Sequence, residues 1–463
     1  MDSNWQIYTL GQLGTIKTGK TPPSSLGDGF GGTVPFVTPG DMNGQKWISE
    51  TDRNLNERGF GAVDSYLMPA RSVAVSCIGS DMGKAALLTN PSVTNQQINT
   101  ILVDESKFNA EFVFYDLSVR QRELKAAASG SATPILNKGH FSAFEILVPP
   151  KPVQDKIVEI LGRIDDKIDL NRRINQTLEA MAQAIFKSWF VDFDPVKAKI
   201  AAKQAGRDPL RAAMSAISGK TAAELDTLPP EQYHQLATTA ALFPDEMEES
   251  ELGEIPRGWK VDVLSSEIDV LNGFAFKSED YAADGIFVLR TRNFFNGIVE
   301  PTISDVFLPS EFLESHERYI CEPFDYHLVM VGASVGDRGM IFPELLPALR
   351  NQNMWCFRPK IGSSISKPQT KLLLDRLAPL VAGLASGSAR EFFRKGDFEN
   401  QKICFGSDSI MKAFKIIVSP LFDKQSNTFS QNIRLSQLRD SLLPKLLSGE
   451  LSVEALAETH GTS

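Results

Sequence analysis

Residues 14–21, GTIKTGKT, fit the pattern G-x-x-x-x-G-K-[ST] of loops that bind nucleotide phosphates through backbone amides and a lysine. Such a loop would make the protein a nucleotide hydrolase. It must connect a buried strand directly to a helix, whose N-terminal amides hold the phosphates. Here Pro22-Pro23 follows, and then four glycines at positions 27, 29, 31 and 32, so no helix of useful length is predicted. We therefore predict a turn after the first strand.

The residue types that hold metals or act as nucleophiles are scattered along the chain. The four cysteines, Cys77, Cys321, Cys356 and Cys404, form no C-x-x-C pair, so neither a zinc site nor a disulfide framework is predicted. The five histidines match no H-E-x-x-H pattern and are interpreted as core or surface residues. We predict no catalytic residue and no metal site in this chain, and a reduced, cytoplasmic setting.

Length and charge narrow the class of protein. A chain of 463 residues, of which 42% are hydrophobic and 23% charged, is typical of a globular protein with two or three domains. No apolar run approaches the ~18 residues that span a bilayer, and the N-terminus does not resemble a signal peptide. The net charge of -9 argues mildly against a protein that binds nucleic acid unaided.

The chain contains a long internal repeat. The stretch ASGSATPILNKGHF, which begins at Ala128, matches ASGSAREFFRKGDF, which begins at Ala385. Four further pairs occur in the same order, namely WQIYTLGQLGTIKTGKTPP with WKVDVLSSEIDVLNGFAFKS, PFVTPGDM with FVLRTRNF, VAVSCIGSDMGKAAL with LVMVGASVGDRGMIF, and NQQIN with NQNMW. Within each copy, short β-branched runs such as SVAVSCI predict strands, and EFVFYDLSVRQRELKAAA predicts a helix. The pattern indicates a duplicated α+β domain.

A long helical segment follows each copy. In the first segment, an apolar heptad stripe is interrupted at Asn171 and Asn175, which either set the register of a helix pair or mark a stutter that moves the stripe onto Ile174. About forty residues of helix span ~60 Å and cannot bury such a stripe in one small domain. The second segment is the expected partner, and packing of each helix on its own domain is the alternative. The residues predicted to pack between the helices are Ile157, Leu161, Ile164, Ile168, Leu178, Ile185, Trp189, Leu438 and Leu442.

With these motifs the chain resembles the specificity subunit of type I restriction-modification systems. The resemblance covers nearly the whole chain and is carried by TGKTPP, FVTPGDM, NQQIN, SGSATPILNKGHF, INQTLEAMAQAIFKSWFVDFDPV, ELGEIPRGWKV and LRDSLLPKLLSGEL. It implies an α+β fold in which two duplicated target recognition domains are separated by two long antiparallel, coiled-coil-like helices. The implied segments are residues 1–150 (first recognition domain), 151–194 (first spacer helix), 195–256 (helical linker or insertion), 257–419 (second recognition domain), 420–451 (second spacer helix) and 452–463 (C-terminal tail).

The resemblance implies a function without catalysis in this chain. Each recognition domain would read one half of a split site on double-stranded DNA, while the helices set the spacing and dock two methyltransferase subunits. Those partners would transfer methyl groups from S-adenosylmethionine to adenine N6, and restriction subunits would use ATP and Mg. The chain lacks the methyltransferase pattern [DN]-P-P-[FYW], since Asn90-Pro91 continues as Ser92-Val93. The alternative is a DNA-binding scaffold or regulator that works without a methyltransferase.

Base readout needs paired donors and acceptors, and phosphate contacts need cations or small polar groups on turns. For each residue of these types, a solvated turn or a structural hydrogen bond is the alternative. The candidates in the first copy are Lys20, Thr21, Thr38, Asp41, Ser80, Lys84, Asn95, Gln96, Gln97, Thr133, Asn137 and Lys138. Those in the second copy are Lys277, Arg290, Thr291, Arg292, Asn293, Arg338, Arg350, Asn351, Gln352, Arg390, Arg394 and Lys395. Residues that differ between the copies are expected to carry the sequence specificity.

Overall fold

The computed structural model describes residues 4–79, 81–128, 135–386 and 393–453. They fall into two compact units: unit 1 combines Met1–Asp169 with Ile433–Ser463, and unit 2 is Leu170–Asn432. Each unit mixes helices and sheets, contains one copy of the repeat and includes part of two long helices, so the predicted α+β fold class is confirmed. None of the helices in the described ranges is long and apolar enough to cross a membrane.

The first copy is built from short strands and helices. In chain order they are β1 (Gln6–Thr9), α1 (Leu10–Leu13), β2 (Gly14–Thr18), β3 (Phe30–Val37), β4 (Trp47–Ile48), β5 (Asn54–Leu55), α2 (Glu57–Gly61), β6 (Leu67–Met68), β7 (Val73–Ser76), β8 (Ala85–Leu88), β9 (Ser92–Thr94), β10 (Ile98–Val103), α3 (Ala110–Val119), α4 (Gln121–Ala126), α5 (Lys138–Ala143) and β11 (Glu145–Val148). They form a five-stranded sheet in the order β2-β10-β7-β8-β4, a four-stranded sheet β5-β3-β9-β6 and the pair β1-β11. Every residue of β7 is buried, so both its faces are covered, as its continuous β-branched run predicts.

A 40-residue helix, α6 (Lys151–Phe190), follows the first copy. The segment between α6 and the second copy folds into α7 (Asp194–Gln204), α8 (Pro209–Ser218), α9 (Ala222–Asp226), α10 (Pro230–Ala241) and the hairpin β12 (Met247–Ser250) with β13 (Gly253–Pro256). These helices bury a small core of their own around Ala213, Met214, Leu225 and Ala240. The segment is therefore a folded insertion with its own apolar cluster.

The second copy repeats the topology of the first. Its elements are β14 (Lys260–Val263), β15 (Ile268–Asn272), β16 (Ile286–Leu289), β17 (Phe294–Phe295), β18 (Gly297–Val299), β19 (Phe307–Leu308), α11 (Phe312–Ser315), β20 (Tyr326–Val329), β21 (Arg338–Met340), β22 (Ala348–Arg350), β23 (Met354–Pro359), α12 (Lys367–Ser386), α13 (Lys395–Glu399) and β24 (Lys402–Phe405). The order β15-β23-β20-β21 reproduces β2-β10-β7-β8, and β14 pairs with β24 as β1 pairs with β11. The duplication indicated by sequence is therefore also a duplication of strand order.

The second long helix, α14 (Asp408–Leu447), also has 40 residues. The sequence predicts that this second helical segment starts near Pro420. In the structure the helix starts earlier and continues through Pro420. In unit 1 the ends of the two helices pack together: Ile157 and Leu161 are buried in one cluster with Leu443 and Leu446.

Most residues predicted to pack between the helices are buried or half-buried. Ile164, Ile168 and Trp189 are buried and Leu442 packs at the edge of the unit 1 core, whereas Leu178 and Ile185 are half-buried. Leu438 differs, because 47% of its surface is exposed. The buried stripe of this stretch runs through Leu443 instead, about 140° further around the helix, so Leu438 lies on another face.

Within unit 2 the two asparagines of the stripe are polar core positions. The buried Asn171 donates from Nδ2 to Oδ1 of Asn432 at 2.9 Å and to Oε1 of Gln431 at 3.3 Å. Asn175 donates to the carbonyl oxygen of Gln425 at 3.4 Å and accepts a hydrogen bond from the hydroxyl of Thr428. Such side-chain pairs fix one register of the antiparallel pair, which favours the register interpretation over a stutter.

Candidate nucleic-acid interface

In unit 1 the ends of several strands are joined by backbone hydrogen bonds into one edge. The amide of Lys20, directly after β2, donates to the carbonyl of Thr94 at 2.8 Å, and the amide of Asn95 donates to the carbonyl of Val37 at 2.9 Å. The turn after β2, the turn after β3 and the NQQIN turn are therefore neighbours. Two loops complete the edge. The amide of Cys77 donates to the carbonyl of Gln97 at 2.7 Å, and the amide of Leu136 donates to the carbonyl of Cys77 at 3.0 Å. We call the segments 19–21, 37–41, 77–84 apart from residue 80, 94–97 and 135–138 loop edge 1.

Unit 2 contains the same set of bonds. The amide of Phe274 donates to the carbonyl of Arg350, and the amide of Asn351 donates to the carbonyl of Leu289, both at 3.1 Å. The amide of Met330 donates to the carbonyl of Asn353, and the amide of Phe393 donates to the carbonyl of Met330, both at 3.0 Å. The segments 273–277, 289–293, 330–338, 350–353 and 393–395 are loop edge 2. These bonds make Met330 the counterpart of Cys77. The aligned sequences place that counterpart two residues later, because the small residues of this loop align ambiguously.

Each edge depends on a glycine at the end of its first strand. A Cβ on Gly19 would collide with the backbone oxygens of Thr94 and Asn95, and a Cβ on Gly273 would collide with that of Asn351. Only a residue without a side chain permits this close approach of two backbones. The conserved geometry explains why both copies keep this glycine although the rest of GTIKTGKT is not repeated.

The GTIKTGKT stretch itself forms no phosphate loop. β2 ends at Thr18 and lies at the edge of its sheet, the following residues have no regular structure, and only a three-residue 3-10 turn occurs before β3. The hydroxyl of Thr21 donates to the side chain of Gln96, and the ammonium of Lys20 lies 5.2 Å from the ring centroid of Tyr66. Both side chains therefore belong to loop edge 1.

Most candidates of the first copy lie on loop edge 1, in three degrees of exposure. Asp41 and Asn95 are buried and serve the loops: Asp41 accepts hydrogen bonds from the amides of Thr38 at 2.7 Å and Asp52 at 2.8 Å, and Asn95 donates to Gln97 at 3.2 Å. The half-buried candidates are Thr21, Thr38, Lys84 and Gln97, and the exposed ones are Lys20, Gln96, Asn137 and Lys138. Ser80, Thr133 and Arg390 lie outside the described residues.

On loop edge 2 the structure assigns a structural role to three candidates. Arg350 is 1% exposed and donates to the carbonyls of Asn272 at 2.9 Å, Ile320 at 3.0 Å and Arg318. Asn293 and Asn351 are also buried. Arg350 therefore ties three chain segments together and offers no donor to a ligand, contrary to the prediction from its loop context. The half-buried candidates are Arg290, Thr291, Arg338 and Lys395, and the exposed ones are Lys277, Arg292, Gln352 and Arg394.

A buried polar cluster in unit 2 contains ligand-type residues that the sequence pattern missed. One ligand atom each from Asp325, His327 and Cys356 lies within 4.8 Å of the others, and all three residues are buried. They are far apart in sequence, and cross-strand pairing of β20 with β23 brings His327 opposite Cys356. The carboxylate of Asp325 already accepts hydrogen bonds from Arg358 and from the amide of Glu322, and an ion pair from Lys367 at 2.9 Å.

The electrostatics of this cluster disfavour a dication. Burial alone would raise the pKa of Asp325, but the hydrogen bond and charge of Arg358 and the charge of Lys367 hold it below its usual range. Burial lowers the pKa of His327 to about 3, against the opposing charge of Asp325. Two hydrogen bonds from Arg358, one from the amide of Glu322 and the ion pair of Lys367 occupy the four lone-pair sites of this carboxylate, so none is left for a metal ion. The cluster is therefore best described as a charged network that anchors β20.

A family model described as "Type I restriction modification DNA specificity domain" matches residues 2–180. The chain is 29% identical over 472 aligned residues to the Type I restriction enzyme HindI specificity subunit of Haemophilus influenzae, covering 97% of this chain and 100% of that protein. It is 25% identical to the Type I restriction enzyme MjaIX specificity subunit of Methanocaldococcus jannaschii, covering 98% and 95%. A solved S subunit of a type I restriction-modification system from M. genitalium has a similar fold, with a TM-score of 0.52 at 15% identity over 96% of this chain and 97% of that chain.

Proposed function

We propose that this chain, a specificity subunit of the type I restriction-modification family, reads one half of a split DNA site with each of its two loop edges. The observation that carries the proposal is the duplicated edge: the same four backbone hydrogen bonds hold the same five segments together in each copy. A surface that is built twice, with different side chains, suits two different short DNA sequences. Subunits of this family are the non-catalytic members of their complexes.

The side chains available at the edges fit DNA contact. Lys20, Gln96 and Lys138 are exposed on loop edge 1, and Arg292, Gln352 and Arg394 are exposed on loop edge 2. Cations serve phosphates, while amides and guanidinium groups also recognise base edges. The candidates that the structure buries, Asp41, Asn95, Asn293, Arg350 and Asn351, shape these edges from within. We assign the remaining described candidates to DNA contact as a working set.

We further propose that α6 and α14 set the length of the non-specific gap. Each helix has 40 residues, which corresponds to about 60 Å of helix. Polar pairs such as Asn171 with Asn432 hold one register between them. Two contacts one turn of DNA apart require a separation of about 34 Å, which a rigid helical spacer can supply. The assigned segments are a first recognition domain, a spacer helix, an insertion, a second recognition domain and a second spacer helix.

The catalytic partners in this proposal are two adenine-N6 methyltransferase subunits that bind S-adenosylmethionine. Restriction subunits, where present, would use ATP and Mg. The net charge of this chain is -9, so the partner subunits would supply much of the charge that neutralises the DNA phosphates. We expect the chain alone to bind DNA weakly and the assembled complex to bind tightly. Gel-shift titrations with and without the partner test this, and tight, sequence-specific binding by the isolated chain would argue against it.

The decisive experiment is to express the chain with the methyltransferase encoded beside it and to map N6-methyladenine across a genome. We expect one split motif, with two short defined halves around a gap of fixed length. An unsplit motif, or no methylation by a pair that demonstrably assembles, would refute the proposal. Nucleotide binding that is lost on Lys20→Ala would instead support the phosphate-loop alternative.

A further inference from the structure

We propose that Arg290 reads a guanine in the half-site bound by loop edge 2, and that its counterpart Thr38 has no such role on loop edge 1. The proposal rests on the function proposed above and assigns one base to one side chain. It starts from the equivalence of the two turns that hold these residues, and from what each side chain does there.

The two turns have the same backbone. The amide of Asp41 donates to the carbonyl of Thr38 at 3.0 Å, and the amide of Asn293 donates to the carbonyl of Arg290 at the same distance. In each turn the side chain three residues later also accepts a hydrogen bond from the amide of the first residue. The amide of Thr38 donates to Oδ2 of Asp41 at 2.7 Å, and the amide of Arg290 donates to Oδ1 of Asn293 at 3.0 Å. Thr38 and Arg290 therefore occupy one position on two copies of one scaffold.

The side chains at this position differ in what they leave free. The hydroxyl of Thr38 donates to Oδ2 of Asp41 at 2.7 Å, so its single donor is used inside the turn. The guanidinium of Arg290 has no hydrogen-bond acceptor among the residues that the structure describes. Its Cζ atom lies 6.0 Å from the ring centroid of Tyr281, and the residue is half-buried. An aromatic platform restrains the side chain while its donors stay available.

The other arginines near loop edge 2 are used differently. Arg350 donates to three carbonyls inside the unit. Arg338 donates to Asp375 and to the carbonyl of Gly336, both at 3.2 Å. Arg292 donates to the hydroxyl of Ser304 at 2.7 Å, and Arg394 is exposed with no aromatic ring recorded beneath it in the described part of the chain. Arg290 thus combines free donors with a restrained position.

A guanidinium whose N–H donors are free and whose position is restrained matches guanine among the four bases. It presents parallel N–H groups, and guanine offers O6 and N7 as a pair of acceptors in the major groove. Restraint before binding reduces the side-chain entropy lost on contact. A phosphate could accept the same donors, but its contact would carry no information about base identity. The two possibilities therefore differ in the outcome of one experiment.

The test is to produce the complex with its methyltransferase in a host without other adenine methylation, and to sequence the methylated sites for wild type, Arg290→Ala, Arg290→Lys and the control Arg257→Ala. We expect Arg290→Ala to reduce the preference for guanine at one position of one half-site by about 10- to 100-fold, with the other half unchanged. Arg290→Lys keeps the charge and loses the paired donors, so it should relax the same position. Arg257 is exposed, lies outside loop edge 2 and forms an ion pair with Glu246, so Arg257→Ala should leave the motif unchanged.

The outcomes separate this inference from the proposed function. If wild type methylates no split motif, the proposed function fails. If wild type methylates a split motif and both Arg290 variants keep every base preference, the inference alone is refuted. A uniform loss of methylation at all sites, with an unaltered motif, would assign Arg290 to a phosphate and also refute it. Should Arg290→Ala fail to fold, as judged by urea unfolding, the motif of Arg290→Lys decides.

Discussion

Replacing Arg350 by methionine should destabilise the strands around it without changing the methylated DNA sequence. Arg350 lies directly before the NQNMW motif, in the same context as the candidate readers. Its guanidinium is nevertheless 1% exposed and donates to the carbonyls of Asn272, Ile320 and Arg318. Methionine keeps an unbranched apolar stem and removes the guanidinium group with all three bonds.

The magnitude follows from those bonds. A hydrogen bond from a charged donor contributes about 2 kcal/mol, so three of them amount to about 6 kcal/mol. Removal of a buried charge recovers part of its desolvation penalty, and Ile320 keeps a second donor, Arg358, at 3.2 Å. We expect a net loss of about 3 kcal/mol in the free energy of unfolding, which corresponds to about a 100-fold change in an opening equilibrium.

Hydrogen exchange measured by mass spectrometry provides the assay, because it reports local opening. Amides of β22 and β23 in Arg350→Met should exchange about 100-fold faster than in wild type, whereas those of β7 and β10 should not change. The methylated motif should stay the same, with lower yield at high temperature. Unchanged exchange together with a relaxed motif would refute the structural role and return Arg350 to the set of base readers.

Three further substitutions test the framework by urea unfolding. Gly19→Ala should destabilise unit 1 by about 2 kcal/mol, because its Cβ meets the backbone of Asn95, whereas Gly61→Ala, with open space around it, should not. Asn171→Leu should stabilise unit 2 by about 1 kcal/mol, since it removes a buried Oδ1 without a partner among the described residues; a lower midpoint would contradict this. The pKa of His327 in the folded chain is lowered to about 3, so unfolded chains bind the proton first as pH falls below about 6.5. Unit 2 should lose about 2 kcal/mol between pH 6.5 and pH 5, and His327→Leu, but not His234→Leu at an exposed position, should abolish this slope.

Local patterns predicted the parts of the fold that depend on local physics. The β-branched run of β7 and the heptad spacing of α6 show which faces of these elements are buried, because the spacing of apolar residues follows the buried face. The repeat was visible because five matches keep their order. The start of α14 was missed because a proline can be accommodated inside a long helix, and no local signal distinguishes this from a proline in the first turn.

The side chains of the candidate site were less predictable, because their roles depend on distant partners. The guanidinium of Arg350 donates to the carbonyls of residues 272, 318 and 320. The spacing of residues in the sequence does not predict these partners. Tyr66, the ring beside Lys20, is likewise remote in sequence from the cation it contacts. Residue type and loop context select polar groups, whereas burial and bonding decide which of these groups remain free.

The duplication supplies a criterion that residue type alone lacks. Asn95 and Asn351 are identical and both buried, which is expected of a shared scaffold. Gln96 and Gln352 are identical and both exposed, so neither can distinguish two half-sites that differ in sequence. A position can do so when its residue differs between the edges and keeps free donors on one of them. Thr38 with Arg290 is such a pair, because, within the described residues, only Arg290 has free donors. A chain that builds the same loop edge twice therefore contains its own internal control: the scaffold is what the copies share, and the proposed readout must come from where they diverge.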